Sequence, residues 1–321
     1  MKKSFKIEEP EYVLFKDLFR LLADEEDVEL VSKVEEFERI RVFERRLIEF
    51  PEFFKSKEGT KKSGLLFWTR DTASLLNQKE KLDELIQGVN SGKITGLIVD
   101  NSTYNEIFGR MGSLANKLPI IVYKGNEIDY FKSRVNSHLA FCFSPYSICH
   151  GSAVEVFGEG VLVIGKSGSG KSECVLELIE RGHLFIADDL VKLVNYPPTS
   201  ILLMSGSQSE NFKFFMELRG IGIIDVLRTF GPARVKVKGE LTMVVEITSQ
   251  ESEKGSYTEN RSVQLFGKKV PFLSFSVKER GLIPTRIETS VLKYKLKKFG
   301  FEADRVIKRV LGGGRDKEAP R

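Results

Sequence analysis

The sequence predicts an α/β protein of two domains, and three observations lead to this prediction. The chain has 321 residues, and single cores stop growing at about 250–300 residues, so longer chains divide into domains. Short apolar runs alternate with stretches of helical periodicity along most of the chain. In the second half, a glycine-rich loop lies between a predicted strand and a predicted helix, the context expected of a phosphate-binding loop.

We divide the chain into an N-terminal α/β domain, residues 1–140, and a C-terminal domain with the glycine-rich loop, residues 141–310. The role of the first domain is not indicated by any motif. The hinge is predicted within "NSHLAFCFSP", which ends at Pro145. Residues 311–321 contain little that can be buried, so we expect a disordered tail.

The N-terminal domain is expected to pack helices against a short sheet. Leucines recur at helical spacing in "EYVLFKDLFRLLADE", and "QKEKLDELIQGV" is a second helical stretch. The apolar runs "GLLFWT", "TGLIVD" and "LPIIVYKG" predict buried strands. We assign the aromatic residues here, Trp68 among them, to the core.

The C-terminal domain is expected to begin with strands and then the glycine-rich loop. "GSAVEVFGEGVLVIG" predicts a strand, a turn and a second strand that ends at Gly165. "KSECVLELIERGH" predicts a helix with Val175, Leu176 and Ile179 on one face and Gly182 as its left-handed end. "LFIADD" and "RVKVKGELTMVVEIT" predict further sheet, "SYTENRS" a polar loop, and "LKYKLKKFGFEADRVIKRVL" a basic amphipathic helix.

The charge balance, the N-terminal sequence and the cysteine spacing argue against a nucleic-acid-binding, secreted, membrane-spanning or zinc-binding protein. The 50 basic and 45 acidic residues are interspersed and leave a net charge of +5, which does not indicate a nucleic-acid partner. "MKKSFKIEEPEY" has no apolar signal-peptide core, and no run is long enough for a membrane span, so a cytoplasmic location is expected. Cys142, Cys149 and Cys174 show no metal-binding spacing, so we expect no zinc site and structural cysteines.

The stretch "GKSGSGKS" fits the phosphate-binding pattern G-x-x-x-x-G-K-[ST]. The loop and the helix that follows it would surround a nucleotide phosphate with backbone N–H groups. Lys171 would reach the β- and γ-phosphate oxygens, and the Ser172 hydroxyl would bind Mg²⁺. The alternative is a tight strand-to-helix turn with an exposed lysine. The predicted loop comprises Gly165, Lys166, Ser167, Gly168, Ser169, Gly170, Lys171 and Ser172.

Carboxylates that could serve such a site follow in "ADD" and "MELRG". In a parallel sheet, the "LFIADD" strand ends at the edge where the glycine loop lies, so Asp188 or Asp189 would approach the γ-phosphate. That acid either handles the acceptor's proton or binds Mg²⁺ through water, and capping of the next segment is the structural alternative. Glu217 either completes the metal site or forms a surface ion pair with Arg219. His150 by itself is either a phosphate-facing donor or an ordinary loop histidine.

Taken together, these motifs resemble the bifunctional HPr kinase/phosphorylase family of bacteria. The shared elements are "HG" at His150, "GKSGSGKSE", "ERGHLFIADD" and "MELRGIGIIDVLRTFG", the last similar to the family's "EIRGLGIINV". The resemblance is strong from about residue 150 to 235 and weaker to about 310. Over the first 130 residues it rests on general α/β character alone.

The resemblance implies a P-loop kinase domain that uses ATP and Mg²⁺ to phosphorylate a serine of HPr, the phosphocarrier protein of the sugar phosphotransferase system. It also implies the reverse phosphorolysis of that phosphoserine by inorganic phosphate, and a homohexamer built from the C-terminal domains. The roles it implies are acid and base for Asp189, active-site residues for Lys171 and His150, metal ligands for Ser172 and Glu217, and a third basic catalytic residue for Arg261 in "ENRS".

The chain departs from this family at two places. Lys166 stands where the family usually has aspartate, and "SVKERGL", residues 276–282, stands where the family has "PVRPGRN", a segment associated with phosphorolysis. Lys278 and Arg280 keep positive charge there, but Glu279 adds a negative group. We therefore expect the kinase direction to be retained and the phosphorylase direction to be weak or differently regulated.

Two other classes of function stay open. One is a non-catalytic, nucleotide-sensing regulatory protein of the same fold, and the other is a metabolite kinase. The "MELRGIGII" stretch favours the HPr kinase over a metabolite kinase. The presence of Asp189, His150 and Glu217 favours an active enzyme over a regulatory protein.

Overall fold

The computed structural model describes residues 5–23, 27–31, 34, 37–49, 53, 63–68, 79–105, 116–196, 199–207, 209–249 and 261–301. These residues form two compact units. One holds residues 8–145, and the other holds the chain from Tyr146 onward together with residues 5–7. The predicted hinge "NSHLAFC" is the end of a helix, Ile128–Cys142, because Val135 and Leu139 bury one of its faces, and the division falls after Pro145.

The first unit is built on a five-stranded sheet of order β2-β7-β6-β5-β4. Strands β4 to β7 are parallel, and β2 is antiparallel to β7. A separate antiparallel pair joins β1 to β3. The elements are β1 (Val13–Leu14), α1 (Phe15–Ala23), β2 (Val28–Val31), β3 (Arg41–Val42), β4 (Ile48–Glu49), β5 (Gly64–Trp68), α2 (Lys79–Asn90), β6 (Ile94–Asp100), β7 (Ile120–Tyr123) and α3 (Ile128–Cys142), with a 3-10 turn at Phe37–Arg39.

The central strands of this sheet are apolar on both faces because helices cover both. Leu65 and Phe67 of β5 pack with α1 and α3. Leu66 and Trp68 point the other way and share a cluster with Leu85 of α2. The core assignment of Trp68 and the three predicted strands of this domain are therefore confirmed.

The second unit has a nine-stranded mixed sheet with the path β11-β9-β10-β16-β13-β12-β8, extended by β18 beside β16 and by β17 beside β18. A separate hairpin pairs β14 with β15. The strands are β8 (Tyr146–His150), β9 (Ser152–Val156), β10 (Glu159–Gly165), β11 (Leu184–Ala187), β12 (Leu190–Tyr196), β13 (Ser200–Ser205), β14 (Phe215–Leu218), β15 (Gly222–Asp225), β16 (Lys238–Thr248), β17 (Ser262–Leu265) and β18 (Lys268–Ser276). The helices are α4 (Lys171–Glu180), α5 (Val226–Phe230) and α6 (Ile283–Lys298), with 3-10 turns at Glu210–Phe212, Pro232–Arg234 and Val277–Leu282.

The sheet around the glycine loop is mixed, so the assumption of a parallel sheet is wrong. The glycine loop and "ADD" nevertheless lie at one edge of the sheet, as predicted. Strand β9 runs antiparallel between β10 and β11. The reason is the short turn at Phe157 and Gly158, both with positive φ, which folds β9 and β10 into a hairpin. Because β10 and β11 are each antiparallel to β9, they run in the same direction. Both therefore end at the same edge of the sheet, at Gly165 and Ala187.

Helix α4 packs an apolar face on this sheet, as the sequence predicted for Val175 and Ile179, but the predicted Leu176 is only partly buried and Leu178 lies in the core instead. Val175, Leu178 and Ile179 are fully buried in one cluster with β10, β16 and α6. The chain leaves the helix through Gly182, whose φ of +109° is the predicted left-handed conformation.

The predicted basic helix begins earlier than expected and is described as α6, Ile283–Lys298. Helix α6 also ends earlier than predicted, because the chain turns at Phe299 and Gly300, and Gly300 has a φ of +82°. The rest of that prediction from residue 302 onward, most of "SYTENRS" and the tail at 311–321 lie outside the described residues. No helix in the described parts of the chain is long and apolar enough to cross a membrane.

Candidate active site at the carboxyl ends of β10 and β11

The glycine loop joins β10 to α4, and its glycines are needed for two different reasons. Gly168 and Gly170 have φ values of +73° and +93°, which residues with a Cβ rarely adopt. A Cβ on Gly165 would lie 2.5 Å from the carbonyl oxygen of Ile247 in β16. The loop leads directly into the first turn of α4, where unpaired backbone N–H groups favour an anion.

The side chain of Lys171 lies inside this loop. The residue is only 7% exposed, and its Nζ donates a 3.3 Å hydrogen bond to the carbonyl oxygen of Lys166. The backbone N–H of Ser169 donates to the same oxygen at 3.1 Å. No carboxylate among the described residues pairs with Lys171, and a buried ammonium without a counter-ion favours an anionic ligand. The exposed lysine of the alternative interpretation is not observed.

Asp188 connects the glycine-loop helix to two other elements. Its Oδ2 accepts a 2.9 Å hydrogen bond from the Ser172 hydroxyl and a 3.3 Å bond from the backbone N–H of Glu217. Its Oδ1 accepts from the hydroxyl of Ser152 in β9. The sequence analysis did not single out Ser152, because an isolated serine in a strand matches no motif. These contacts bring Ser172, Asp188 and Glu217 together at one place.

The next residue, Asp189, has a different partner. Its Oδ1 lies 2.8 Å from Nδ1 of His150, and the two side chains are 66% and 50% exposed. The antiparallel pairing of β8 with β12 places His150 opposite Leu190. Asp189 itself has a φ of +64°, a conformation that aspartate tolerates better than most residues. The two neighbouring aspartates therefore serve separate contacts, Asp188 with serine and Asp189 with histidine.

Glu217 reaches the site on the hairpin of β14 and β15. Its side chain is exposed, while the backbone bond to Asp188 holds the residue beside Ser172. The hairpin turn contains Gly220 and Gly222, both with positive φ. Within the described residues, neither Glu217 nor Arg219 forms an ion pair, so the predicted alternative of a surface pair between them is not observed.

Two guanidinium groups lie against the glycine loop. Nη2 of Arg280 donates a 2.9 Å hydrogen bond to the carbonyl oxygen of Gly168. Nη1 of Arg219 lies 3.1 Å from the position that a Cβ on Gly168 would occupy, and Nε of Arg280 lies 3.3 Å from the corresponding point on Gly170. Guanidinium groups bind phosphate oxygens with paired N–H donors. Both arginines are visible in the sequence, but no motif places them at the loop.

Arg261 is not brought into this cluster by any described side-chain contact. Its carbonyl oxygen accepts a 3.0 Å hydrogen bond from the backbone N–H of Phe272 in β18. Because β17 is antiparallel to β18, Arg261 lies toward the carboxyl end of β18, the edge at which the glycine loop also lies. Its role as a third basic catalytic residue stays a prediction.

Glu279, the negative group that the sequence adds to this segment, is paired within the second unit. Its carboxylate forms a two-point ion pair with the guanidinium of Arg286 in α6, with Nη2 at 2.8 Å from Oε1. The segment forms a 3-10 turn, Val277–Leu282, capped by the Ser276 hydroxyl, which accepts from the backbone N–H of Lys278 at 3.3 Å.

The cysteine near the loop is not suited to nucleophilic chemistry. Cys174 points from α4 into the core, and burial raises the pKa of its thiol to about 12. At neutral pH it is therefore a neutral thiol, and thiols react as thiolates. None of the three cysteines, Cys142, Cys149 and Cys174, forms a disulfide.

The oxygen ligands at the site suit magnesium as a partner of a bound nucleotide. Ser172, Asp188 and Glu217 supply a hydroxyl and two carboxylates, the hard oxygen donors that Mg²⁺ prefers. Among the described residues, no group of three or more His, Cys, Asp or Glu side chains could hold a metal alone. Mg²⁺ characteristically takes few protein ligands and completes its shell with water and substrate phosphates.

Comparison with known proteins gives several related matches. The chain is 33% identical to the HPr kinase/phosphorylase of Chloroherpeton thalassium over 228 residues, which are 70% of this chain and 66% of that protein. It is 34% identical to that of Lactobacillus delbrueckii subsp. bulgaricus over 189 residues, which are 58% of each. Those matches thus span less than two thirds of the curated relatives' length. The solved HPr(Ser) kinase/phosphatase of Coxiella burnetii is 27% identical, with a TM-score of 0.42, covering 50% of this chain and 98% of that one.

The family match covers all the elements of the candidate site. Residues 142–310 match the family of the HPr serine kinase C-terminal domain. This range is more than half of the chain and includes the glycine loop, both aspartates and the β14–β15 hairpin. The chain therefore belongs to the HPr serine kinase C-terminal domain family.

Proposed function

We propose that this chain is an ATP-dependent serine kinase that phosphorylates HPr and also phosphorolyses the phosphoserine with inorganic phosphate. The observation that carries the proposal is that the two neighbouring aspartates contact different partners. Asp188 is bonded to Ser172 of the glycine loop, and Asp189 is bonded to the exposed His150. One carboxylate is thus available for metal and the other for proton transfer, as phosphoryl transfer to a hydroxyl requires.

In this proposal, residues 141–310 are the P-loop kinase domain and residues 1–140 are a separate α/β domain. The phosphates of ATP lie in the loop from Gly165 to Ser172, against its backbone N–H groups and the first turn of α4. The buried Lys171 exchanges its bond to the Lys166 carbonyl for the phosphate oxygens. The side chains of Arg219 and Arg280 add positive charge at Gly168.

Mg²⁺ is the proposed metal, held by Ser172 and Glu217 with Asp188 beside them. Bound there, it neutralises charge on the phosphate oxygens. The contribution of the protein is to align these oxygens. The bond from Asp188 to Ser172 orients the hydroxyl, and the bond from Asp188 to the Glu217 backbone fixes the hairpin next to it.

Asp189 is the proposed base in the kinase direction. It takes the proton from the serine hydroxyl of HPr while the serine oxygen forms a bond to the γ-phosphorus and ADP leaves. His150 holds the carboxylate at Oδ1, 2.8 Å from its Nδ1. In the reverse direction, an oxygen of inorganic phosphate attacks the phosphoserine phosphorus. The serine oxygen leaves with the proton from Asp189, and pyrophosphate is formed.

The proposed partner is HPr, and the proposed assembly is a homohexamer through the C-terminal domains. The names of the matched relatives support the first of these. We propose no nucleic-acid or membrane partner. A cytoplasmic location fits both the use of ATP and three cysteines that form no disulfide.

Incubation of the full chain with HPr, ATP and Mg²⁺, followed by mass spectrometry of HPr, tests the proposal. We expect one phosphoserine on HPr with the native chain, and a transfer rate lower by about 10²–10⁴-fold with Asp189→Asn. Phosphate transfer to a small metabolite instead of HPr would indicate a metabolite kinase. Tight ATP binding without any transfer would indicate a nucleotide-sensing regulatory protein.

A further inference from the structure

The turn between β18 and α6 presents two neighbouring side chains of opposite charge in different directions. Arg280 donates to the carbonyl oxygen of Gly168 in the glycine loop. Glu279 is bound instead to Arg286, seven residues further along the chain. The backbone of Glu279, with φ of −107° and ψ of 26°, departs from the helical conformation inside the turn.

Arg286 is held in place by its contacts with Glu279 and with Phe275. Both Nη atoms of Arg286 bond to the carboxylate oxygens of Glu279, a two-point geometry that fixes both side chains. The guanidinium carbon of Arg286 also lies 5.8 Å from the ring centroid of Phe275, a buried residue of β18. Arg286 thus connects the start of α6 to the turn and to the strand that precedes it.

Removal of Arg286 would release a carboxylate next to the anion site. Glu279 lies between Lys278 and Arg280 in the sequence. A carboxylate that pairs with Arg280 would draw the guanidinium away from the Gly168 carbonyl and repel a phosphate group. The pair with Arg286 prevents both effects.

We propose that Arg286 is a positioning residue for the phosphate site. It binds Glu279 and so leaves Arg280 on the glycine loop, where its guanidinium is available to a phosphate group of a nucleotide or of pyrophosphate. The inference rests on the proposed function only in taking the glycine loop as a phosphate site. It requires neither HPr nor catalysis.

We expect the ion pair between Arg286 and Glu279 to affect phosphate binding rather than the stability of the fold. The side chains of Arg286 and Glu279 are 33% and 34% exposed, and ion pairs of this kind contribute little to stability. If the pair acts through charge at the phosphate site, removal of both partners should be harmless. Loss of Arg286 alone should weaken binding, because that change keeps the carboxylate and removes the guanidinium that binds it.

The test measures binding of Mg-ATP and, separately, of pyrophosphate to the full chain by calorimetry. The variants are Arg286→Met, Glu279→Gln and the double variant, with melting curves to confirm folding. We expect Arg286→Met to weaken binding of both ligands about 10-fold, the equivalent of about 1.4 kcal/mol. Glu279→Gln and the double variant should bind within about twofold of the native chain. Arg228→Met is the matched control, because Arg228 is 84% exposed and also pairs with a carboxylate, Asp225.

Each other result overturns the inference or limits it to one ligand. Native binding by Arg286→Met overturns it, and so does a double variant as weak as Arg286→Met, which would indicate that packing on Phe275 matters instead. Weakened pyrophosphate binding with unchanged Mg-ATP binding would restrict the role to inorganic ligands. A native chain that binds neither ligand overturns both this inference and the loop assignment. Binding without transfer to HPr overturns only the proposed kinase activity.

Discussion

The Ser172 hydroxyl donates a 2.9 Å hydrogen bond to Oδ2 of Asp188. This bond joins the first turn of α4, the helix that follows β10, to the end of β11, and β9 lies between β10 and β11 in the sheet. It also occupies Asp188, so that the neighbouring Asp189 is the carboxylate exposed beside His150. The positive φ of Asp189 is what separates the two side chains.

The two aspartates are therefore expected to differ when each is changed to asparagine. Asp189→Asn should lower the rate of transfer to HPr by about 10²–10⁴-fold, the usual contribution of a general base, with Mg-ATP binding retained. Asp188→Asn should instead weaken Mg²⁺ binding, so that half-maximal transfer needs more Mg²⁺, because the carboxylate beside Ser172 loses its negative charge. Titration of Mg²⁺ in the transfer assay compares the two. A collapse of metal affinity in Asp189→Asn with a normal Asp188→Asn would reverse the assignment.

Replacement of Lys171 is expected to abolish transfer in a folded protein. Lys171→Ala removes a cation that is buried inside the loop, so the phosphates lose a charge that holds them in place. The measurement is the rate of HPr phosphorylation, with a melting curve for each variant. Lys269→Ala, an exposed lysine in β18, is the control and should leave the rate unchanged. Near-normal turnover by Lys171→Ala would reject the loop as the nucleotide site.

Local spacing was enough to predict the glycine loop and its flanking strand and helix, because the conformation of Gly168 and Gly170 depends on the chain within a few residues. It also indicated that "ADD" ends at the same edge. It could not assign roles to Asp188 and Asp189, since that depends on hydroxyl and histidine partners from β9, α4 and β8.

The charge at Glu279 shows the same limit of sequence reasoning. From the sequence alone, a glutamate between Lys278 and Arg280 is an added negative charge near a phosphate site. Its compensation by Arg286 depends on how the turn leads into α6, and no motif marks that geometry. Side-chain pairs formed by tertiary structure were thus the part that the sequence did not predict.

A buried polar contact between His183 and Glu288 is expected to contribute to stability. Nε2 of His183 lies 2.9 Å from Oε1 of Glu288 in α6, and Nη1 of Arg181 donates to its Oε2 at 2.8 Å. His183 is 6% exposed, so Glu288→Ala would leave a buried nitrogen without this partner and lower the free energy of unfolding by about 1–3 kcal/mol.

Urea unfolding of the full chain measures this effect. Glu177→Ala is the matched control, because it removes the other carboxylate partner of Arg181 at a site 40% exposed, where loss of an ion pair costs about 0–1 kcal/mol. Equal effects of Glu288→Ala and Glu177→Ala would contradict the proposed contribution of the buried contact.

The last prediction concerns Arg280 and the direction of the reaction. In the kinase direction the loop holds phosphates that are already joined in ATP. Phosphorolysis must bring phosphoserine and inorganic phosphate together as separate anions, which repel each other. A guanidinium at Gly168 offsets that repulsion with charged N–H donors. Arg280→Met should therefore slow phosphorolysis about 10-fold or more and slow the kinase direction much less.

The assay follows pyrophosphate release from phosphorylated HPr at millimolar inorganic phosphate, beside HPr phosphorylation by ATP. Arg228→Met serves as the control for loss of an exposed arginine, and both of its rates should match those of the native chain. The native chain also tests the expectation that its phosphorolysis is weaker than its kinase activity, and comparable rates would contradict that expectation. Equal losses in both directions for Arg280→Met would show that Arg280 serves the nucleotide phosphates rather than the incoming inorganic phosphate.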